Sequence, residues 1–151
     1  RLDPPMQTES QVAALGHVIQ LAVAPVFLLS GVSGLLGVLT NRLSRIIDRA
    51  RVLEERLVTA VPVGQDPIHG ELRLLSHRAR LINTAISLCT VCALLICAVI
   101  IALFTAAFLE TNVAIPISLI FTGSMLALFA GLVSFLREIY IATRSLRIGP
   151  H

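Results

Sequence analysis

A chain of 151 residues suffices for one domain, and its 56% hydrophobic content, 14% charge and mean hydropathy of +0.86 exclude an ordinary soluble domain in favour of a small integral membrane protein. The net charge is +3, and all 12 basic residues are arginines, which hold their charge at any working pH and fork onto phosphate or carboxylate. Nucleic acid, the obvious rival partner for so many arginines, is not expected, because the arginine-rich part is tethered to long apolar runs and has no interleaved aromatics.

Residues 1–16 read as a polar lead, extended or loosely ordered because Pro4 and Pro5 oppose helix, with T-E-S-Q at Thr8 to Gln11 fitting a capping box. A short interfacial helix from about Ser10 fits the same stretch. Residues 17–40 form the first predicted span, somewhat longer than the roughly 20 residues a bilayer requires. Pro25 sits inside it, where a missing donor and a clash with the preceding turn predict a kink and a candidate hinge. Gly31, Gly34 and Gly37, with Ser30 and Ser33, give small-x-x-x-small spacings that let helix backbones approach closely.

Residues 41–80 read as an antiparallel helical hairpin outside the membrane. In its first arm Leu39, Leu43, Ile46, Ala50, Leu53 and Leu57 alternate steps of four and three, the spacing of a packing seam. Arg42, Arg45, Arg49 and Arg56 run beside that seam as a stripe. Asp48, Arg51 and Glu55 have the spacing of intrahelical ion pairs. The segment PVGQDPIHG, from Pro62 to Gly70, is the predicted turn, with Asp66 and Pro67 suited to start the next helix. In the second arm Leu72, Leu75, Ala79, Ile82 and Ile86 repeat the seam, while Arg73, His77 and Arg80 share a stripe and Arg78 falls elsewhere.

Residues 81–109 and 113–136 are the second and third spans. Gly123 and Gly131, with Ala127 between them, form another close-packing face on the third. An arginine-bearing amphipathic end follows to residue 147, then a tail over 148–151. Residues 17–147 therefore read as a single three-span membrane domain in an all-α fold. Eight arginines lie between spans one and two and three follow span three, against none between spans two and three and one in the lead. The positive-inside rule then places the hairpin and the C-terminus in the cytoplasm and the N-terminus outside.

The stretch IQLAVAPVFLLSG followed by LTNRLSRIIDRARVLE resembles the bacterial membrane family catalogued as domain of unknown function 2721. The likeness runs from about Val18 to Tyr140, and its most specific part is the Arg-Asp-Arg helix after the first span. It implies a bacterial three-span protein and no reaction or ligand; the expected location is the bacterial inner membrane.

The residues themselves point away from catalysis. Cys89 and Cys92 have C-x-x-C spacing inside an apolar run, with no histidine or second cysteine pair nearby, so they read as small packing residues. Asp48, Glu54 and Glu55 are interleaved with arginines, as in solvated ion pairs. No cofactor, metal or catalytic residue is expected. Thr84, Ser87, Thr90, Thr105, Ser118, Thr122 and Ser124 read as interhelical hydrogen-bonding groups, with pore lining as the rival. Two small-residue faces and two seams predict a homo-oligomer or a subunit of a larger membrane complex. The arginine stripe Arg42, Arg45, Arg49 and Arg56 is expected to meet membrane lipids, anionic ones included, or an acidic partner. The expected function is a non-catalytic structural or accessory membrane subunit; the alternative is a homo-oligomeric ion channel with an arginine-rich cytoplasmic vestibule.

Overall fold

The apolar runs and the seams that continue them make three long helices. The computed structural model describes residues 4–59, 65–109 and 112–146. Helix α1 is Pro4–Thr59, α2 is Gln65–Leu109 and α3 is Ala114–Leu146, and no strand occurs among the described residues. Each is long and apolar enough to cross a membrane, so the chain is a multi-pass membrane protein by length and composition. With 56 residues, α1 has a contour of about 84 Å, more than twice a bilayer's hydrocarbon thickness.

Local chemistry explains the ends. The expected extended lead is helical from Pro4 onward, because proline in a first turn gives up only an N–H that has no intrahelical acceptor anyway. Helix α1 also continues past Pro25, which is buried. Of the predicted turn, Gln65 to Gly70 already belongs to α2, with Asp66 in its first turn. The rest of that predicted turn lies outside the described residues, as do the 148–151 tail and Arg147. At the start of α3 the Asn112 side-chain oxygen accepts the Ala114 N–H at 3.4 Å, and Pro116 occupies the first turn.

The chain divides into two units. The first combines the described residues up to 34 with 91–127; the second combines 35–90 with those from 128 onward. In the first unit Ala22, Val32, Cys92, Ile96 and Val99 are buried, Ser124 is also fully enclosed, and Gly123 lies near Leu95. In the second unit Leu39, Ile46 and Leu53 from α1 meet Leu75, Ile82, Ala85 and Cys89 from α2 as the core. Every predicted seam residue of the first arm is buried or half-buried, and so is every one of the second. The seams are therefore consumed inside the chain, which corrects the expectation that they remain available to other copies.

Two partners share α2 in the second unit. Leu72, Leu75 and Ala79 line a groove with Ile46 and Ala50 of α1. The adjoining face receives α3. A Cβ at Gly131 would lie 3.2 Å from Cys89 Sγ and 3.4 Å from the Ala85 carbonyl oxygen. Gly131 is thus the position where the α3 backbone comes close to α2. Gly31, Gly34 and Gly37 on α1 have nothing within 4 Å of an added Cβ.

These surroundings predict opposite outcomes for glycine replacements. Gly131→Leu should lower stability by about 1–3 kcal/mol through overpacking. Gly34→Ala should leave it unchanged or raise it by about 0.5–1 kcal/mol through helix propensity. Thermal unfolding in mild detergent measures both, and a tolerated Gly131→Leu would contradict the close α2–α3 contact.

Candidate functional site

The second unit contains one cluster in which charge is taken out of solvent. Glu138 of α3 is 0% exposed. Its Oε2 accepts Arg42 Nη1 of α1 at 2.5 Å, and its Oε1 accepts Arg78 Nε and Nη2 of α2 at 3.1 and 2.9 Å. One carboxylate therefore joins all three helices. A lone buried carboxylate would lose several kcal/mol of hydration, and two guanidinium groups with three charge-assisted hydrogen bonds offset that loss. The cluster carries a net charge of +1.

Helical spacing places these groups. Glu138 follows Gly131 by one heptad and Ser124 by two, and all three are buried. It is also the only acid in α3. Arg78 lies three residues after Leu75 and four before Ile82, both buried, so it sits on the buried face of α2 beside the seam residue Ala79. Phe135, one turn before Glu138, puts its ring 5.4 Å from the Arg42 guanidinium carbon. The same α3 turn thus offers Arg42 a carboxylate and an aromatic face. All three charged residues lie within about one turn of the ends of the apolar runs.

A second contact ties the two hairpin arms: Arg49 donates Nε and Nη2 to Glu71 Oε1 at 3.0 and 2.7 Å. Arg49 remains largely in solvent and Glu71 partly so, and this pair contributes about 0–1 kcal/mol. The predicted arginine stripe is therefore split in role. Arg42 and Arg49 hold partners on other helices, while Arg45 and Arg56 are exposed and make no ion pair among the described residues. The expected pairing of Asp48, Arg51 and Glu55 is corrected too: no ion pair within 4.0 Å joins them. Holding two long exposed side chains in one geometry costs entropy that a screened attraction barely offsets.

The hydroxyls require another correction. Those of Thr84, Ser87, Thr90, Thr105, Ser118 and Thr122 each donate to the carbonyl four residues earlier in their own helix, and Ser124 to the one three earlier. Without competing water, that carbonyl is the nearest acceptor, so the expected interhelical bonds do not form. Of the predicted packing glycines, Gly131 meets α2 closely, Gly123 lies 3.9 Å from Leu95, and Gly31, Gly34 and Gly37 face open space. Cys89 and Cys92 are buried. No three His, Cys, Asp or Glu side chains converge among the described residues. The sequence reading missed Glu138 and set Arg78 aside. The signal was a charged residue at a heptad position on each helix.

Residues 22–148 match the family described as Protein of unknown function (DUF2721). The chain belongs to that family. Arg42, Arg78 and Glu138 all fall within the matched DUF2721 segment. Neither a curated protein nor a solved structure matches the chain.

Chemically, the DUF2721 cluster is a clamp: each lone-pair face of the carboxylate it uses is already met by an arginine. Arg78→Met should destabilise the protein by about 2–4 kcal/mol, because it strands a buried carboxylate on one partner. Arg42→Met should cost less, about 1–3 kcal/mol, since Arg42 is 40% exposed where Arg78 is 21%. Arg49→Met should cost under about 1 kcal/mol. Replacing all three clamp residues with apolar ones of similar volume should recover much of the loss. Equal losses for Arg78→Met and Arg49→Met in thermal unfolding would contradict this ranking.

Proposed function

We propose that this protein is a non-catalytic membrane scaffold or accessory subunit that assembles with itself or with a larger membrane complex through α1. The observation that carries the reading is the open glycine face. Gly31, Gly34 and Gly37 have nothing within 4 Å of an added Cβ, and Ser30, Ser33, Phe27 and Val38 around them are exposed. Each glycine weakens an isolated helix by up to about 1 kcal/mol relative to alanine. The chain's own packing gives no return for these three. A second helix laid on that face would, because small residues allow close backbone approach and extensive van der Waals contact in a membrane.

The scaffold reading sits in the bacterial inner membrane with the N-terminus outside and the arginine-rich hairpin and C-terminus in the cytoplasm, supported by the distribution of arginines. Arg45 and Arg56 remain available there to lipid or to an acidic partner. The channel reading receives less support, since the span hydroxyls named above donate to carbonyls of their own helices. The remaining polar chemistry is a clamp between helices, which suits a rigid frame for docking.

Light scattering in mild detergent and in lipid nanodiscs tests the proposal. The wild type should exceed the 16.2 kDa monomer mass or retain a co-purified partner. Gly34→Leu should reduce it to a monomer that keeps the helical content of the wild type in circular dichroism. A wild type that stays monomeric and alone in both media, or a reproducible conductance in planar-bilayer recording, would overturn the reading.

A further inference from the structure

The face of α3 opposite the clamp carries a second arrangement. Phe129, Val133, Leu136 and Tyr140 follow one another in steps of four and three, so they share a helix face, and all are exposed. Arg144 continues the line and Arg137 flanks it. The Arg144 guanidinium carbon lies 5.8 Å from the Tyr140 ring centroid. A shallow cavity of about 470 Å³ opens among Leu136, Arg137, Tyr140 and Ile141. The face thus changes within one turn from uncharged and apolar to cationic.

No negative charge opposes it from its own helix. The only acid in α3 is Glu138, which points the other way and is fully engaged by Arg42 and Arg78. Arg137 and Arg144 make no ion pair with an acidic side chain among the described residues. Two fixed positive charges with planar donor forks, beside a tyrosine ring, match a phosphate monoanion. The apolar line leading into them matches what is attached to such a phosphate at a membrane boundary. A soluble anion would use the arginines and leave Val133 and Leu136 without a role.

We propose that Arg137, Tyr140 and Arg144 form a binding site for the headgroup phosphate of an anionic phospholipid, with its acyl chain lying along Val133 and Leu136. The site is distinct from the arginine stripe of α1, where Arg42 and Arg49 are already held by Glu138 and Glu71. It is independent of whether α1 mediates assembly. Tyr140 stacks beside Arg144 and fills the interfacial position that tyrosines favour. The two arginines supply the preference for net negative charge over a zwitterion, by the attraction of membrane-near cations to anionic lipid.

The sequence provides its own reporter, since Tyr140 is the single tyrosine and there is no tryptophan. The full-length protein reconstituted in lipid vesicles is measured for tyrosine emission as lipids brominated high on the acyl chain are introduced. Brominated phosphatidylglycerol should quench at several-fold lower mole fraction than brominated phosphatidylcholine. Arg137→Gln combined with Arg144→Gln should reduce that preference by roughly tenfold, and each single change should reduce it partially. Arg51→Gln, on the hairpin, should leave it intact. Thermal midpoints of the variants should match the wild type, as both side chains are exposed, and inorganic phosphate should leave the emission and the quenching unchanged. Equal quenching by the two lipids, a preference that survives the double substitution, or displacement by inorganic phosphate would each overturn the proposal.

Discussion

A carboxylate that has lost all contact with water sets the terms for the second unit. Glu138 is tolerable only while both Arg42 and Arg78 reach it, and those two residues belong to different helices. The demand is directional. Hydrophobic seams accept small shifts in register, whereas three charge-assisted hydrogen bonds to two oxygens accept very little. The clamp therefore fixes which turn of α1, α2 and α3 meet, and the apolar contacts fill in around that registration. Its contribution is better described as specifying one alignment than as adding stability, because apolar replacements of equal volume would pack with less desolvation.

Gly131 and Glu138 are seven residues apart on the same face of α3, and they act on α2 by different means. At Gly131 the absence of a side chain lets the helices touch through Ala85 and Cys89. At Glu138 a long side chain reaches Arg78. One heptad thus moves from steric contact to electrostatic contact as the helix leaves its apolar run. The change follows the expected change in surroundings: van der Waals packing serves where lipid surrounds the helices, and ion pairing serves where the ends meet polar headgroups. The proposed lipid site on the opposite face of α3 repeats that transition from Leu136 to Arg137.

The polar groups of the spans divide into two kinds. Hydroxyls turn back onto their own helix carbonyls, as at Thr90 and Thr122, and add nothing to helix association. Arginines and the buried glutamate reach across between helices. Chain length explains the difference. A serine or threonine oxygen sits next to the carbonyl one turn back, while Arg42 and Arg78 are long enough to cross to a neighbour and have no acid within a turn on their own helix. The seven predicted interhelical hydroxyls failed for this reason.

What the amino-acid sequence determined by itself is what depends on local periodicity. Three apolar runs of membrane length, the antiparallel seams from Leu39 to Leu57 and from Leu72 to Ile86, and the breaker-rich stretch between them follow from spacing and composition, as does the DUF2721 likeness. The open or occupied state of each small-residue face did not follow. Gly34 and Gly131 read alike in the sequence, and only the packed helices distinguish a glycine with nothing near it from one set against a cysteine and a carbonyl. Nor did the pairing of charges. Arg42 read as one member of an exposed stripe, Arg78 as a residue off its stripe and Glu138 as part of an amphipathic end. Their meeting joins residues 60 and 96 positions apart. Periodicity says which face of a helix a residue occupies, but which helix covers that face is a tertiary fact, and the electrostatic environment of Glu138 exists only once all three helices are in place.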